Sequence, residues 1–348
     1  MRENLRRGCY VLLREGSAAK NLRTLLPGVT PGNARRCAFC CDDLHVEDIV
    51  SEGHMDKHLR IAVSMGMDPV QAVTLCTLNA AECFGLRSKG AVAPGRDADF
   101  ILVDDLKDFR VRKVFTAGRL IAEDGKVLSP LDDAAAGAPS HSIHIRPLGD
   151  DALALPVRTG RARVIGLQPR SLVTLNLVRD VAVDDAGLFQ CALNPGLTKI
   201  AVIERHKATG KIGLGLLEGY GLRGGAVATT ISHDSHNIVA AGDNDADMLL
   251  AVRELERLGG GIVSVHEGVI RRLPLPIAGL MTSEAPETVS ATLRAMIEAA
   301  HTELGIPEGV EPFMSLSFMA LPVIPELKLT ARGLFNVNLF SFVGVEAD

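Results

Sequence analysis

The chain of 348 residues is 47% hydrophobic and carries 37 Lys and Arg against 42 Asp and Glu, a formal net charge of -5. That is enough apolar material for two or three compact cores at roughly 100 to 200 residues per domain. The lack of a basic excess argues against a nucleic-acid backbone or an anionic membrane as partner.

Near the N-terminus the apolar run Cys9 to Leu13 is broken by Arg14 and Glu15. It is too short for a signal peptide or a membrane span, so a cytoplasmic protein is expected. The same run reads as a strand, and SAAKNLRTLL after it as a helix with Ser17 as N-cap. CAFC is a second short strand, ending abruptly at Cys41-Asp42-Asp43. After a loop, MDKHLRIAVSMG and then VQAVTLCTLNAAECFG, opened by Asp68-Pro69, are apolar at helical spacing and closed by glycine. Two successive βα units over residues 1–88 point to parallel α/β architecture.

From Gly90 to Val127, Pro-Gly, Ala-Gly and Asp-Gly dipeptides punctuate short strands, giving a small β module over 89–130. Residues 131–150 lose periodicity and gain Pro, Ala, Gly and Ser, as linkers do. An α+β domain is expected over 151–348. Its strands are RARVIGL, SLVTLNLV, TKIAVIERH and GAVATTIS; one helix opens in the acidic run Gly242 to Asp247 and another spans APETVSATLRAMIEAAHTELG.

The seven cysteines are odd in number and scattered, as reduced intracellular thiols are. Cys37, Cys40 and Cys41 cluster, but no second ligand pair occurs at zinc-site spacing.

Asp42 and Asp43 sit at the carboxyl end of a strand, where parallel α/β proteins place their active sites. A carboxylate there can ligate a divalent metal and carry a proton from the metal's water to a leaving amine. The plainer alternative is that one Asp caps the loop after it. Arg14 and Glu15 end the earlier strand at the same rim, either facing substrate or forming a surface ion pair. His45, His54 and His58 lie just downstream, and the MDK between the last two lacks the glutamate of an HExxH protease.

The densest polar group is His233-Asp234-Ser235-His236-Asn237, suited to a transition metal or a proton shuttle, or else structural. Asp243, Asp245 and Asp247 lack the glycine and terminal glutamate of a calcium loop and fit a helix N-terminus better. Gly219, Gly221 and Gly224 match GxGxxG, but the next segment is strand-like, so close turns are expected.

GAVAPGRDADFILVDD, with VFTAGRLI after it, resembles the β-sandwich region that succeeds the last barrel strand of amidohydrolases. YVLLREGSAAKNL, CAFCCDDLHVEDIVSEGHMD, DPVQAVTLCTLNAAECFGL, the 224–248 stretch with its HDSHN, LPLPIAGLM and FMSLSFMALPVIPELKLT look like the adenine deaminase branch. The resemblance covers essentially the whole chain. It implies an incomplete C-terminal end of a metal-dependent (β/α)8 barrel, a small β-sandwich module and an α+β C-terminal domain. It also implies a binuclear centre of manganese or iron that hydrolyses adenine to hypoxanthine and ammonia in purine salvage.

By the same resemblance Asp42 is metal ligand and proton carrier, and Asp43 supports it. Arg14, Glu15 and Ser17 match REGS beside the substrate. His233, Asp234, His236 and Asn237 belong to a motif that approaches the active-site mouth or binds metal. Cys41 stands where the family usually has Thr, which removes a hydroxyl partner. A whole barrel takes about 250 residues, so the HxH pair, the bridging ligand and two later histidines lie outside this sequence. The partners implied are adenine and a second copy in a homodimer. The competing readings are a non-catalytic remnant acting as a binding or oligomerisation module, and a dihydroorotase-like ring opening.

Overall fold

A computed structural model describes residues 1–17, 19–128 and 139–347. The chain divides into two compact units, Met1–Ala134 and Ala135–Asp348. Part of the expected linker, 131–138, lies outside the described residues.

The first unit opens with α1 (Arg2–Arg6), β1 (Val11–Arg14), α2 (Leu22–Leu25) and β2 (Cys37–Cys40). The helices α3 (Val46–Glu52), α4 (Met55–Ser64), α5 (Pro69–Cys76) and α6 (Leu78–Cys83) come next. β1 and β2 pair in parallel, Val11 opposite Cys37 and Arg14 opposite Cys40. Side chains alternate across a strand. Leu13, Cys37 and Phe39 therefore join Leu59, Ala62, Ala72 and Leu75 in one core under the helices, while Leu12, Arg14 and Cys40 take the other face. Parallel βα units thus bring the residues after Arg14 and after Cys40 to one edge.

Three elements differ from expectation. Ser17 is not the N-cap of a long helix: α2 begins at Leu22, and the Ser17 hydroxyl is engaged elsewhere. The expected single helix after Pro69 breaks at Thr77, because Asn79 is buried and donates to the carbonyls of Ala34 and Cys37 at 2.9 and 2.8 Å. The stretch after Asp43, expected as loop, contains α3, whose first turn carries Glu47 and Asp48 where the helix dipole favours them.

Phe100–Val103 (β3), Val111–Thr116 (β4), Arg119–Glu123 (β5) and Lys126–Val127 (β6) form one antiparallel meander.

The second unit holds β7 (Arg161–Gly166), β8 (Leu175–Asp180), β9 (Leu197–Ile203), β10 (Ile212–Glu218), β11 (Gly225–Thr229), β12 (Ile238–Gly242), α7 (Asp245–Leu258), β13 (Gly261–His266) and β14 (Val269–Pro274). Its strands make one eight-stranded sheet in the order β14-β13-β11-β12-β9-β10-β7-β8, antiparallel except where β10 meets β7. The sheet is covered on both faces. Ile200, Val202, Val227 and Val239 face α8 (Pro286–Thr302) and α9 (Met314–Met319) through Leu293, Met296 and Leu316. Ala201, Ile203, Ala228 and Ala240 face α7 through Met248, Val252 and Leu255. Asn244 caps α7 by accepting from Asp247 N at 2.8 Å, and Gly259 ends it at φ 76°. A small sheet of β15 (Leu327–Thr330), β16 (Gly333–Asn336) and β17 (Ser341–Phe342) adds Leu327, Leu329 and Leu334 to the first of these cores. Residues 139–150 have no regular secondary structure, yet Ile143, Ile145 and Leu148 pack against the α7 side.

Candidate functional site

Parallel pairing leaves the segments 14–17 and 40–43 side by side. Glu15 N donates to Cys40 O at 3.0 Å, and Ser17 N to Asp43 O at 2.8 Å. Arg14 Nη1 lies 3.4 Å from Asp42 Oδ2, with the Asp42 side chain 42% exposed, and Arg14 Nη2 donates to Asn21 Oδ1 at 3.2 Å. Asp42 adopts φ 54°, a left-handed conformation that turns the chain sharply after the strand. These two charged groups share the face away from the helices and meet at the edge of the sheet.

Asp43 does something different. Its Oδ2 accepts from Ala19 N at 3.0 Å, and a Cβ at Gly16 would collide with its carboxylate. Asp43 therefore holds Gly16 and Ala19 close to its carboxylate. The Ser17 hydroxyl donates to Asp48 and accepts from His45 N at 2.8 Å, tying that turn to the start of α3. Glu15 is 5% exposed, and among the described residues its Oε2 has no hydrogen-bond partner.

His54 and His58 serve the helix α4 and the end of β2. His54 precedes α4 as its N-cap, and His58 is buried with Nδ1 3.1 Å from His54 O and Nε2 2.9 Å from Cys40 O, bracing the end of β2. Burial pushes the thiols of Cys37 and Cys40 up, which disfavours the thiolate a metal would need. A cleft of about 600 Å³ in this unit is lined by α5 and α6 residues such as Gln71, Thr74 and Glu82, and by none of the candidate residues.

In the second unit the His233–Asn237 stretch comes after β11 and leads into β12. The His233 ring stacks on Phe318 at 5.3 Å and contacts Asp234. Asn237 is buried and its Oδ1 faces Arg205 N at 3.4 Å, while Ser235 O lies 2.8 Å from His206 Nε2. Burial, then the charges of Arg205 and His233, hold the His236 pKa below its ordinary value. Among the described residues no three His, Cys, Asp or Glu side chains converge as a metal site. Asp243 accepts from Gly224 N and Gly225 N, so the acidic run serves a turn and a helix start. Gly219, Gly221 and Gly224 all take positive φ between β10 and β11, so the GxGxxG match opens no helix.

Residues 9–121 match the amidohydrolase family, and residues 171–341 match the adenine deaminase C-terminal domain. An adenine deaminase of Nitratidesulfovibrio vulgaris strain Hildenborough is 62% identical over 346 residues, 99% of this chain and 60% of that protein. The chain is therefore similar to adenine deaminases along essentially its whole length. Adenine deaminases of Clostridium acetobutylicum and Geobacillus kaustophilus are 43% and 45% identical, each over 99% of this chain and 60% of their own length. The chain thus spans about 60% of the length of the relatives it matches.

Sequence reasoning missed Asn21, Asp48 and Arg205. Asp48 carries a readable signal, a carboxylate in the first turn of a helix. Asn21 and Arg205 carry none, because their partners are set by loop closure.

Proposed function

We propose that the protein to which this chain belongs hydrolyses adenine to hypoxanthine and ammonia. The observation that carries this reading is the placement of Asp42, with Arg14 beside it, at the carboxyl ends of two adjacent parallel strands, in a chain similar along its whole length to adenine deaminases.

The amidohydrolase family implies a metal ion, and we take manganese or iron as the species. Asp42 fits one ligand position: it is an accessible carboxylate, a hard oxygen donor, on the face of the strands that the helices leave open. The further ligands are not assembled by the described residues of this chain. When bound, the metal supplies a water acidified toward neutrality.

Asp42 Oδ would accept a proton from the attacking water and return it to the departing amine, the C6–O bond forming before the C6–N bond breaks. Arg14 orients the carboxylate from 3.4 Å. Asp43 and Ser17 hold the turn behind it, so Ser17 acts on substrate only through position. Glu15 and Arg14 remain the substrate-side groups of the 14–17 turn. In the second unit we read His233, Asp234, His236 and Asn237 as a binding loop. The proposal includes a cytoplasmic, homodimeric protein composed of partial barrel, sandwich module and α+β domain, with boundaries near 88, 130 and 150.

The test is incubation of the protein with adenine and Mn2+ or Fe2+, monitoring hypoxanthine by absorbance and ammonia by a coupled assay. Turnover that Asp42→Ala abolishes supports the reading. Equal turnover by Asp42→Ala removes Asp42 from the mechanism, and absence of turnover with both metals favours a non-catalytic binding module.

A further inference from the structure

Just beyond β9 the chain draws Arg205 into the interior, where 1% of its surface remains exposed. Its donors reach three segments far apart in sequence. Nε donates to the His236 carbonyl, Nη1 to both the carbonyl and the hydroxyl of Ser142 at 3.0 Å, and Nη2 to the Ala278 carbonyl at 3.0 Å. Its backbone repeats two of these ties: N faces Asn237 Oδ1 at 3.4 Å, and O accepts from His144 N at 2.7 Å.

None of these acceptors is a carboxylate. Burying a cation without a counter-ion costs several kcal/mol unless hydrogen bonds offset it, and here only neutral oxygens do so. An apolar side chain of similar length would fill the space without that cost. What it lacks is the planar fork of five donors that can address several carbonyls at once. The surrounding turn is shaped to admit the fork, for Gly279 has φ +72° and a Cβ there would lie 2.9 Å from Nη1.

We propose that Arg205 is the positioning residue of the His233–Asn237 loop, a clamp that joins this loop, the 142–144 segment and the 277–281 turn into one body. Arg205 holds the loop through its backbone carbonyl at 236, which leaves the side chain of His236 for other partners; among the described residues His236 Nδ1 has no hydrogen-bond partner. The inference rests on the reading of this loop as a binding element, but the clamp can be tested apart from it.

The experiment is hydrogen exchange by mass spectrometry on the whole chain carrying Arg205→Lys, whose single ammonium cannot span three segments. Peptides covering 140–146, 233–238 and 276–281 are expected to exchange about tenfold faster together, while β9 and β12 keep their protection. Faster exchange in fewer than all three segments overturns the clamp. If Arg205→Lys does not fold, Gly279→Ala, which leaves Arg205 in place and displaces its guanidinium, is expected to loosen 140–146 and 233–238, which Gly279 does not touch; loosening confined to 276–281 overturns the proposal. Kinetics with adenine separate the two readings: a KM raised about tenfold with kcat within about twofold places the loop in substrate binding. Three loosened segments with both constants unchanged leave the clamp standing and remove the binding role.

Discussion

At the scale of single residues, the two aspartates after β2 divide their work. Asp42 is accessible and ion-paired with Arg14; Asp43 is half-buried against Gly16 and Ala19. Under the proposed function Asp42→Asn keeps the shape and removes the proton carrier, so kcat is expected to fall by about 10² to 10⁴ with the melting temperature unchanged. Asp43→Asn is expected to act mainly through structure, lowering stability by about 1 kcal/mol because a half-buried amide meets groups arranged for a carboxylate. Ser17→Ala frees His45 N and Asp48 at once and is expected to lower kcat while leaving the KM for adenine near its original value. A large rise in KM in that variant would restore Ser17 to direct substrate contact. That Asp42 and Arg14 lie at one edge was legible in the sequence, because each ends a short apolar run and parallel strands share an edge. The separation of Asp42 from Asp43 was not, since it depends on how Gly16 lets the turn close over one carboxylate.

At the scale of elements, α7 is anchored to β14 by Glu254, which accepts from Arg257 Nη2 at 2.6 Å and from Arg272. The hydrogen bonds from Arg257, then those from Arg272, hold its pKa at about 2 against an ordinary 4.5. A depressed carboxylate adds stability that is fully present above pH 4.5 and is lost as pH falls toward 2. Both arginines are partly solvated, so Glu254→Gln is expected to cost about 1–2 kcal/mol at pH 7. Urea unfolding across pH should show the two proteins converging near pH 2; a constant gap would mean that the carboxylate's charge is not what matters.

Lys328 in β15 gives the opposite slope. It is fully buried, donates to Leu172 O at 3.0 Å, and burial lowers its pKa from 10.5 to about 8. Below pH 8 the chain bears the cost of a buried charge, and stability rises as pH climbs from 8 to 10.5 because the unfolded state then binds more protons. Lys328→Met is expected to abolish that rise, which is on the order of 3 kcal/mol. A wild-type curve flat over that range would show that the folded amine keeps its ordinary pKa, as a solvated ammonium does. The strands β7, β8, β9 and β11 could be read from apolar runs. β10 escaped notice because Gly213 and Gly215 interrupt its pattern; a Cβ at Gly213 would collide with the Thr330 carbonyl, a close approach that no local signal announces.

At the scale of the whole molecule, the two units differ in how completely they bury what they fold. In the second, the central strands β9, β11 and β12 of the eight-stranded sheet have apolar neighbours on both faces, the cluster with α7 on one side and the cluster with α8 and α9 on the other. In the first, β1 and β2 form a sheet of two strands covered by helices on one face, with Leu12 exposed on the other, and the β3–β6 meander leaves Ile101 and Leu102 exposed. A two-stranded sheet is marginal by itself, and contiguous exposed apolar surface favours association. Residues 139–348 expressed alone are therefore expected to unfold in urea in one cooperative transition, with near-ultraviolet and far-ultraviolet signals coinciding. Residues 1–128 alone are expected to bind a hydrophobic dye and to sediment as a concentration-dependent mixture. The contrast between the fragments carries the inference: a monomeric, dye-silent first fragment would mean that its helices and meander already close a core of their own, and the open strand edges would then be ordinary surface.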